Sequence, residues 1–257
     1  MGSGNNRRIM GTIYDNLKQV RAQIAASCTD AGRNPHDVTL LAVCKTWDSA
    51  AVREAYAAGQ RAFGENYVQE AVEKIAQLVD LPDIEWHMIG PIQSNKTRVV
   101  AEQFAWVHSI DRLKIAQRLS EQRPAHLAPM QVCIQVNIDE GMNKSGVPAV
   151  AAAQLSAQIA QLPRLRLRGI MVIPEPTINL IAAHAIFKRA ANLFNTLKEV
   201  HPGLDTLSMG MSADMPAAIA AGSTLLRVGT AIFGTRAVPS PDLKAALADN
   251  PPAQDLG

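Results

Sequence analysis

Val38-Thr39-Leu40-Leu41-Ala42-Val43-Cys44-Lys45 reads as a strand of mostly apolar residues closed by a lysine. A short, continuous apolar run of this kind fits a strand covered on both faces, as in a parallel sheet. Lys45 then emerges at the C-terminal edge of the sheet, where α/β folds place their chemistry. An amine partly buried there loses hydration, which disfavours the ammonium and leaves free base able to condense with a carbonyl. A lysine that merely snorkels from a strand end fits the same residues.

Outward from this run, strand-like and helix-like segments alternate. Candidate strands fall at 38–44, 61–64, 84–89, 106–110, 131–137, 167–173, 206–209 and 224–228, which makes eight. Between them lie three-and-four-step apolar patterns such as Val68, Val72, Ile75 and Val79, or Ile186, Ala190, Leu193, Leu197 and Val200. Ser94, Asp111 and Ser212 stand where helix caps are expected. Ile13, Leu17, Val20 and Ile24 predict one further helix before the first strand, ended by Gly32 and Asn34-Pro35. Eight strand–helix units imply an α/β fold of the (β/α)8 TIM-barrel type with an extra N-terminal helix. An open doubly wound sheet is the rival, but no Gly-x-Gly-x-x-Gly follows an early strand. Residues 1–236 are expected to form this single domain, with 1–37 as helix and linker. The segment 237–257, which contains Pro239, Pro241, Pro251 and Pro252, reads as a tail with a short helix near 243–248.

Composition narrows the function. The 257 residues suit one large core, and about 250 is an ordinary barrel length. A net charge of +2, from 25 basic and 23 acidic residues, and 4% aromatic content argue against a nucleic-acid partner. Cys28, Cys44 and Cys133 are odd in number and widely spaced, as expected of reduced thiols, and no His-x-x-x-His or Cys-x-x-Cys supports a metal. No apolar run approaches the roughly 18 residues of a membrane span, so a cytoplasmic chain is expected.

The chemically informative residues gather after the predicted strands. Lys45 follows the first, Glu65-Asn66-Tyr67 the second, and His87 to Gln93 spans the end of the third. Gly210-Met211-Ser212 follows the seventh and Gly229-Thr230 the eighth, the usual phosphate position in such barrels. Glycines there allow close backbone approach, and the hydroxyls of Ser212 and Thr230 can donate to phosphate oxygens. Turn glycines and an N-cap serine would look the same, loop by loop. An amine and a phosphate cradle in one fold point to a phosphorylated aldehyde. Arg227, inside an apolar strand, needs an acceptor: a carboxylate such as Glu65, or a ring nitrogen of a bound heteroaromatic group. His87 fits either a satisfied core position or one flanking such a ring. Lys144 reads as a solvated loop lysine or a second aldehyde contact, and Lys96 as part of a helix start.

Phe63-Gly64-Glu65-Asn66-Tyr67-Val68-Gln69-Glu70, Trp86-His87-Met88-Ile89-Gly90-Pro91-Ile92-Gln93-Ser94-Asn95-Lys96, and the stretches 207–214 and 222–234 occur in one order. In these motifs, from about residue 38 to 236, the chain resembles the pyridoxal phosphate homeostasis protein family of the YggS/PROSC type. The resemblance implies a barrel similar to that of alanine racemases, with pyridoxal 5'-phosphate (PLP) bound as a Schiff base on Lys45. It implies Asn66 near the ring, Arg227 facing the pyridine nitrogen, and Ser212, Gly229 and Thr230 at the phosphate. Met211 and His87 are further expected cofactor-binding residues. The family usually has Ser before the lysine and Lys-Pro after the next Thr, where this chain has Cys44 and Trp47-Asp48; Pro216 is a further departure. Strand alternation predicts that Cys44 points away from Lys45.

The leading expectation is a PLP-buffering or PLP-delivering protein, acting as a monomer with apo-enzymes as recipients and with no catalytic residues of its own. A fold-type-III amino-acid racemase is the enzyme alternative, but it needs an acid/base on each face of the cofactor. The three tyrosines, Tyr14, Tyr56 and Tyr67, all precede the third strand, and fewer than 30 residues follow the eighth, too few for the second domain of such racemases. A class I aldolase is the third reading, separated from the others by its lack of a bound chromophore.

Overall fold

Eight parallel strands close on one another in the computed structural model, which describes residues 12–141, 144–175 and 179–235. The strands are β1 (Thr39–Val43), β2 (Ala62–Glu65), β3 (Glu85–Met88), β4 (Trp106–Ile110) and β5 (Met130–Asn137), then β6 (Val147–Pro148), β7 (Leu165–Met171), β8 (Thr206–Ser208) and β9 (Leu225–Val228). β6 only extends the end of β5; the other eight pair in sequence order, and β9 returns to β1 with Leu41 opposite Arg227. Helix α1 (Ile13–Asp30) precedes the barrel. After the eight barrel strands come α2 (Ser49–Ala57), α3 (Val68–Gln77), α4 (Thr97–Gln103), α5 (Leu113–Gln122), α6 (Ala152–Ile159), α7 (Leu180–Val200), α8 (Met215–Ala221) and α9 (Thr230–Phe233). This is a (β/α)8 barrel with an added N-terminal helix.

Alternation along the strands divides the core. Outward residues such as Ala42, Phe63, Met88, Val107 and Leu226 pack beneath the helices in the large apolar cluster. The inward set is small: Leu41, Val43, Ile89 and Leu225 in one group, Trp106, Cys133 and Met171 in another. The added helix has a structural reason. α9 has only four residues, too short to cover its flank, and α1 packs against α8, α9 and α2 in its place. Leu17, Val20, Ile24 and Cys28 form its buried stripe, and Thr12 caps its first turn by accepting from Asp15 N–H.

Strand ends depart from the sequence expectation by no more than two residues. The caps depart more. The α5 cap is Arg112 and the α8 cap is Asp214, neither with a side-chain capping bond, while Ser94 opens a 3-10 turn. Val79 and Val200 end their periodic patterns exposed, beyond or at the last turn of helix. The predicted tail helix lies outside the described residues. Among those residues, no helix is long and apolar enough to cross a membrane.

Candidate functional site

β1 ends at Val43, and the chain turns into the mouth of the barrel. Lys45 is partly buried there and lines a cavity of about 290 Å3 with Val43, Trp47, Gly229, Thr230, Gly234 and Thr235. Trp47 roofs the turn by stacking on Phe233, ring centroids 5.8 Å apart. Beside it the end of the neighbouring strand β9 comes close because residue 229 has no side chain; a Cβ there would stand 3.1 Å from the Val43 carbonyl oxygen. The cavity wall thus carries one amine, two hydroxyls and no carboxylate among the described residues.

The loop after β8 lies alongside. Gly210 has φ +96°, and a Cβ on it would meet Ala218 Cβ at 2.5 Å and Leu226 Cδ2 at 2.8 Å, so only glycine fits. Its carbonyl accepts from Arg227 N–H at 3.0 Å, which ties this loop to β9. Met211 N–H donates to Asp214 Oδ1 at 2.5 Å, and Ser212 is exposed at the loop's tip. Asn66 follows β2, held by contact with Gly90, where a Cβ would lie 2.1 Å from the Asn66 carbonyl oxygen.

Arg227 is 4% exposed and points into the barrel. Glu65 is not its acceptor: alternation turns Glu65 outward, against Lys74 of α3. Instead Nη2 donates to the Val172 carbonyl and Nη1 to Ser208 Oγ, both at 2.8 Å. Burial lowers the guanidinium pKa to about 10, still high enough to keep the charge at neutral pH. From Ser208 a chain of hydrogen bonds runs across the interior. Ser208 Oγ meets His108 Nδ1 at 3.1 Å, His108 Nε2 meets His87 Nδ1 at 2.9 Å, and His87 Nε2 meets Glu85 Oε1 at 2.9 Å. Because Ser208 accepts from Arg227, its proton goes to His108 Nδ1, so His108 carries its proton on Nε2 and His87 on Nε2 in turn. Burial lowers both histidine pKa values and keeps the rings neutral. A cation at one end and a carboxylate at the N-terminal face of the barrel thereby face each other through three neutral groups.

Of the residues singled out in the sequence, Lys45, Gly229 and Thr230 meet at one cavity, with Arg227 on the adjoining strand and Met211 and Ser212 on the loop beside it. His87 does not line the cavity; it is stacked on Trp106 in the interior, ring centroids 5.2 Å apart. Lys144 is not a solvated loop lysine. It is 21% exposed and paired with Asp139 at 2.5 Å and Glu175 at 3.4 Å. Cys44 points away from Lys45, its Sγ 3.0 Å from Glu65 Oε1, and burial together with that carboxylate pushes the thiol well above its usual range. Sequence reading missed Ser208, His108 and Glu85. Their signal was polar residues at alternate positions of strand-like runs, Trp106-Val107-His108 and Thr206-Leu207-Ser208. No group of three His, Cys, Asp or Glu side chains among the described residues could hold a metal ion.

The alanine racemase N-terminal domain family matches residues 14–237. The chain is 58% identical over 227 residues to the pyridoxal phosphate homeostasis protein of Pseudomonas aeruginosa, an alignment spanning 88% of this chain and 97% of that one. Its identity to the protein of that name from Escherichia coli is 54% over 229 residues, 88% and 98% of the two chains. PipY of Synechococcus elongatus, solved with PLP bound, superposes with a TM-score of 0.76 at 39% identity, covering 87% of this chain and all of PipY. An alanine racemase of Clostridium difficile, 14% identical with a TM-score of 0.68, shares the fold. The chain belongs to the alanine racemase N-terminal domain family and, within it, to the pyridoxal phosphate homeostasis proteins.

Proposed function

We propose that this protein binds PLP in the Lys45 cavity and serves as a store or donor of the cofactor rather than as a catalyst. The observation that carries the reading is the meeting of Lys45 with the Gly229–Thr230 loop at one cavity, in a chain from this family. The residues present fit the group: an amine stands beside open backbone and a hydroxyl, and no described carboxylate lines the wall to repel a phosphate. Bound PLP supplies an aldehyde carbon for condensation with an amine and a pyridine ring able to withdraw electrons. Lys45 is the amine in reach. Thr230, Ser212 and the Gly229 backbone would offer donors to the phosphate, and Asn66, after β2, would lie near the ring. Arg227 keeps its proton, so a pyridine nitrogen facing it stays unprotonated and the ring is a weak electron sink.

Weak turnover follows from the same geometry. Racemisation needs proton donors on both faces of the bound group, and Lys45 is the one titratable side chain among the described residues lining the cavity. The homeostasis role extends to buffering PLP in the cytoplasm as a monomer and handing it to apo-enzymes. Purified protein loaded with PLP is expected to show a visible absorbance band that Lys45→Ala lacks, and negligible racemisation of alanine. Ordinary enzymatic rates with either enantiomer would overturn the reading as a store and favour the racemase.

A further inference from the structure

The two peptide groups that flank Lys45 are both held from α3. The Cys44 carbonyl accepts from Lys74 Nζ at 2.9 Å, and Thr46 N–H donates to Glu70 Oε1. Lys74 and Glu70 pair with each other at 3.1 Å, one helical turn apart, and Lys74 also meets Glu65 Oε1 at 2.5 Å. Lys45 therefore sits in the middle of a three-residue segment whose ends are gripped by the two members of one ion pair.

Two features make this more than helix docking. Thr46 has φ +64°, a left-handed conformation that a β-branched residue adopts only where its surroundings impose it. The Glu70 bond is on that residue's own N–H, so the grip and the forced turn coincide. Second, Lys74 is 4% exposed and Glu65 fully buried, whereas apolar side chains of similar volume would serve packing equally well. The arrangement is not tuned for stability alone, since Glu65 Oε2 and Thr46 Oγ1 remain buried without a hydrogen-bond partner among the described residues. Burial alone would depress the Lys74 ammonium; the carboxylates outweigh it and hold the pKa above the usual lysine range, so the grip persists at neutral pH.

We propose that Lys74 and Glu70 are positioning residues for Lys45: they set the turn that aims its amine into the cavity, and so control attachment of the aldehyde without touching the phosphate side. This rests on the reading of Lys45 as the PLP amine. Without the Lys74–Glu70 grip the turn relaxes out of the left-handed conformation, and the amine loses the fixed approach that condensation requires. The phosphate loops are built on β8 and β9 and keep their shape.

The test compares dissociation constants of PLP and of pyridoxine 5'-phosphate, which has an alcohol in place of the aldehyde. Glu70 is 24% exposed, so Glu70→Ala leaves the fold intact; Lys74→Met, and Lys74→Met combined with Glu65→Gln to avoid an unpaired buried carboxylate, attack the other end. Each is expected to weaken PLP by about tenfold or more, the effect of losing a charge-assisted hydrogen bond, with pyridoxine 5'-phosphate hardly affected. Glu70→Gln should recover most of the loss, because its amide oxygen still accepts from Thr46 N–H. Equal weakening of both ligands, or no change in either, would overturn the proposal. Wild-type protein with no preference for the aldehyde would overturn the attachment reading itself, a result visible before any variant is made.

Discussion

The two walls of the cavity are held in opposite ways. The amine wall, at the end of β1, is fixed by charge: Lys74 and Glu70 grip the backbone on either side of Lys45, and Glu65 pairs with Lys74 behind them. The glycine side, proposed to receive the phosphate, is fixed by missing side chains: Gly229 in the cavity wall brings backbone close to Val43, and Gly210 in the loop alongside stands where a Cβ would clash. The amine wall therefore fails when a side chain is removed, and the glycine side when one is added. Attachment of an aldehyde needs one atom aimed accurately, whereas a phosphate is satisfied by several donors around it.

The largest expected effect is at the loop after β8. Gly210→Ala combines a strained φ with a 2.5 Å contact on Ala218 Cβ. Overpacking of about 1–3 kcal/mol and left-handed strain of about 1–2 kcal/mol together predict a loss of roughly 2–5 kcal/mol in urea denaturation. A variant as stable as wild type would mean that the loop does not pack as described.

Next come the hydroxyls. Ser212→Ala and Thr230→Ala each remove one charge-assisted hydrogen bond of about 1.5–3 kcal/mol, so PLP should bind on the order of tenfold or more weakly. Dephosphorylated pyridoxal should bind these variants as it binds wild type. Equal losses for both ligands would make the loops structural only.

Beneath both walls, the neutral His87 and His108 make the barrel interior sensitive to acid. Their folded pKa values lie below the ordinary 6.5, so the unfolded chain takes up protons first as pH falls. Stability is fully present above that value and is lost as pH drops toward the folded values, by up to about 1.4 kcal/mol per pH unit for each ring. Glu85, held below the usual carboxylate range chiefly by its bond to His87, adds in the same direction at lower pH. Denaturation midpoints that stay level from pH 7 to pH 5 would show that the rings are not buried neutral.

The smallest effect on affinity is expected at Arg227. Arg227→Gln can still donate to Ser208 but loses the charge, so PLP should attach with little change in affinity while its visible spectrum shifts and slow transamination with added amino acids accelerates. An unaltered spectrum would place Arg227 away from the ring and confine it to the hydrogen-bond chain toward Glu85.

The barrel was legible because each strand announced itself by a short apolar run, and the cavity because Lys45, Gly229 and Thr230 all stand just beyond strand ends. The Arg227 to Glu85 chain was not. It depends on which positions of β3, β4 and β8 stand level across the barrel, and alternation within one strand carries no such information. Lys74 was hidden for a different reason. The pattern Val68, Val72, Ile75 and Val79 predicted an apolar inner face for α3, whereas the structure buries Ala71, Lys74 and Leu78 and exposes Val79. A lysine faces inward there because Glu65, at the end of β2, faces outward to meet it. The expected phosphate role of Ser212 and Thr230 came from their place after the seventh and eighth strands, whereas that of Asn66 came from the resemblance to the family alone.

Lys45, and no other lysine, is expected to take up PLP. Borohydride reduction of the PLP-loaded protein, followed by proteolysis and mass mapping, tests it most directly, since reduction makes the carbon–nitrogen bond permanent. One pyridoxyl group is expected, on the peptide containing Lys45. Labelling mainly at Lys96 or Lys144 would contradict it.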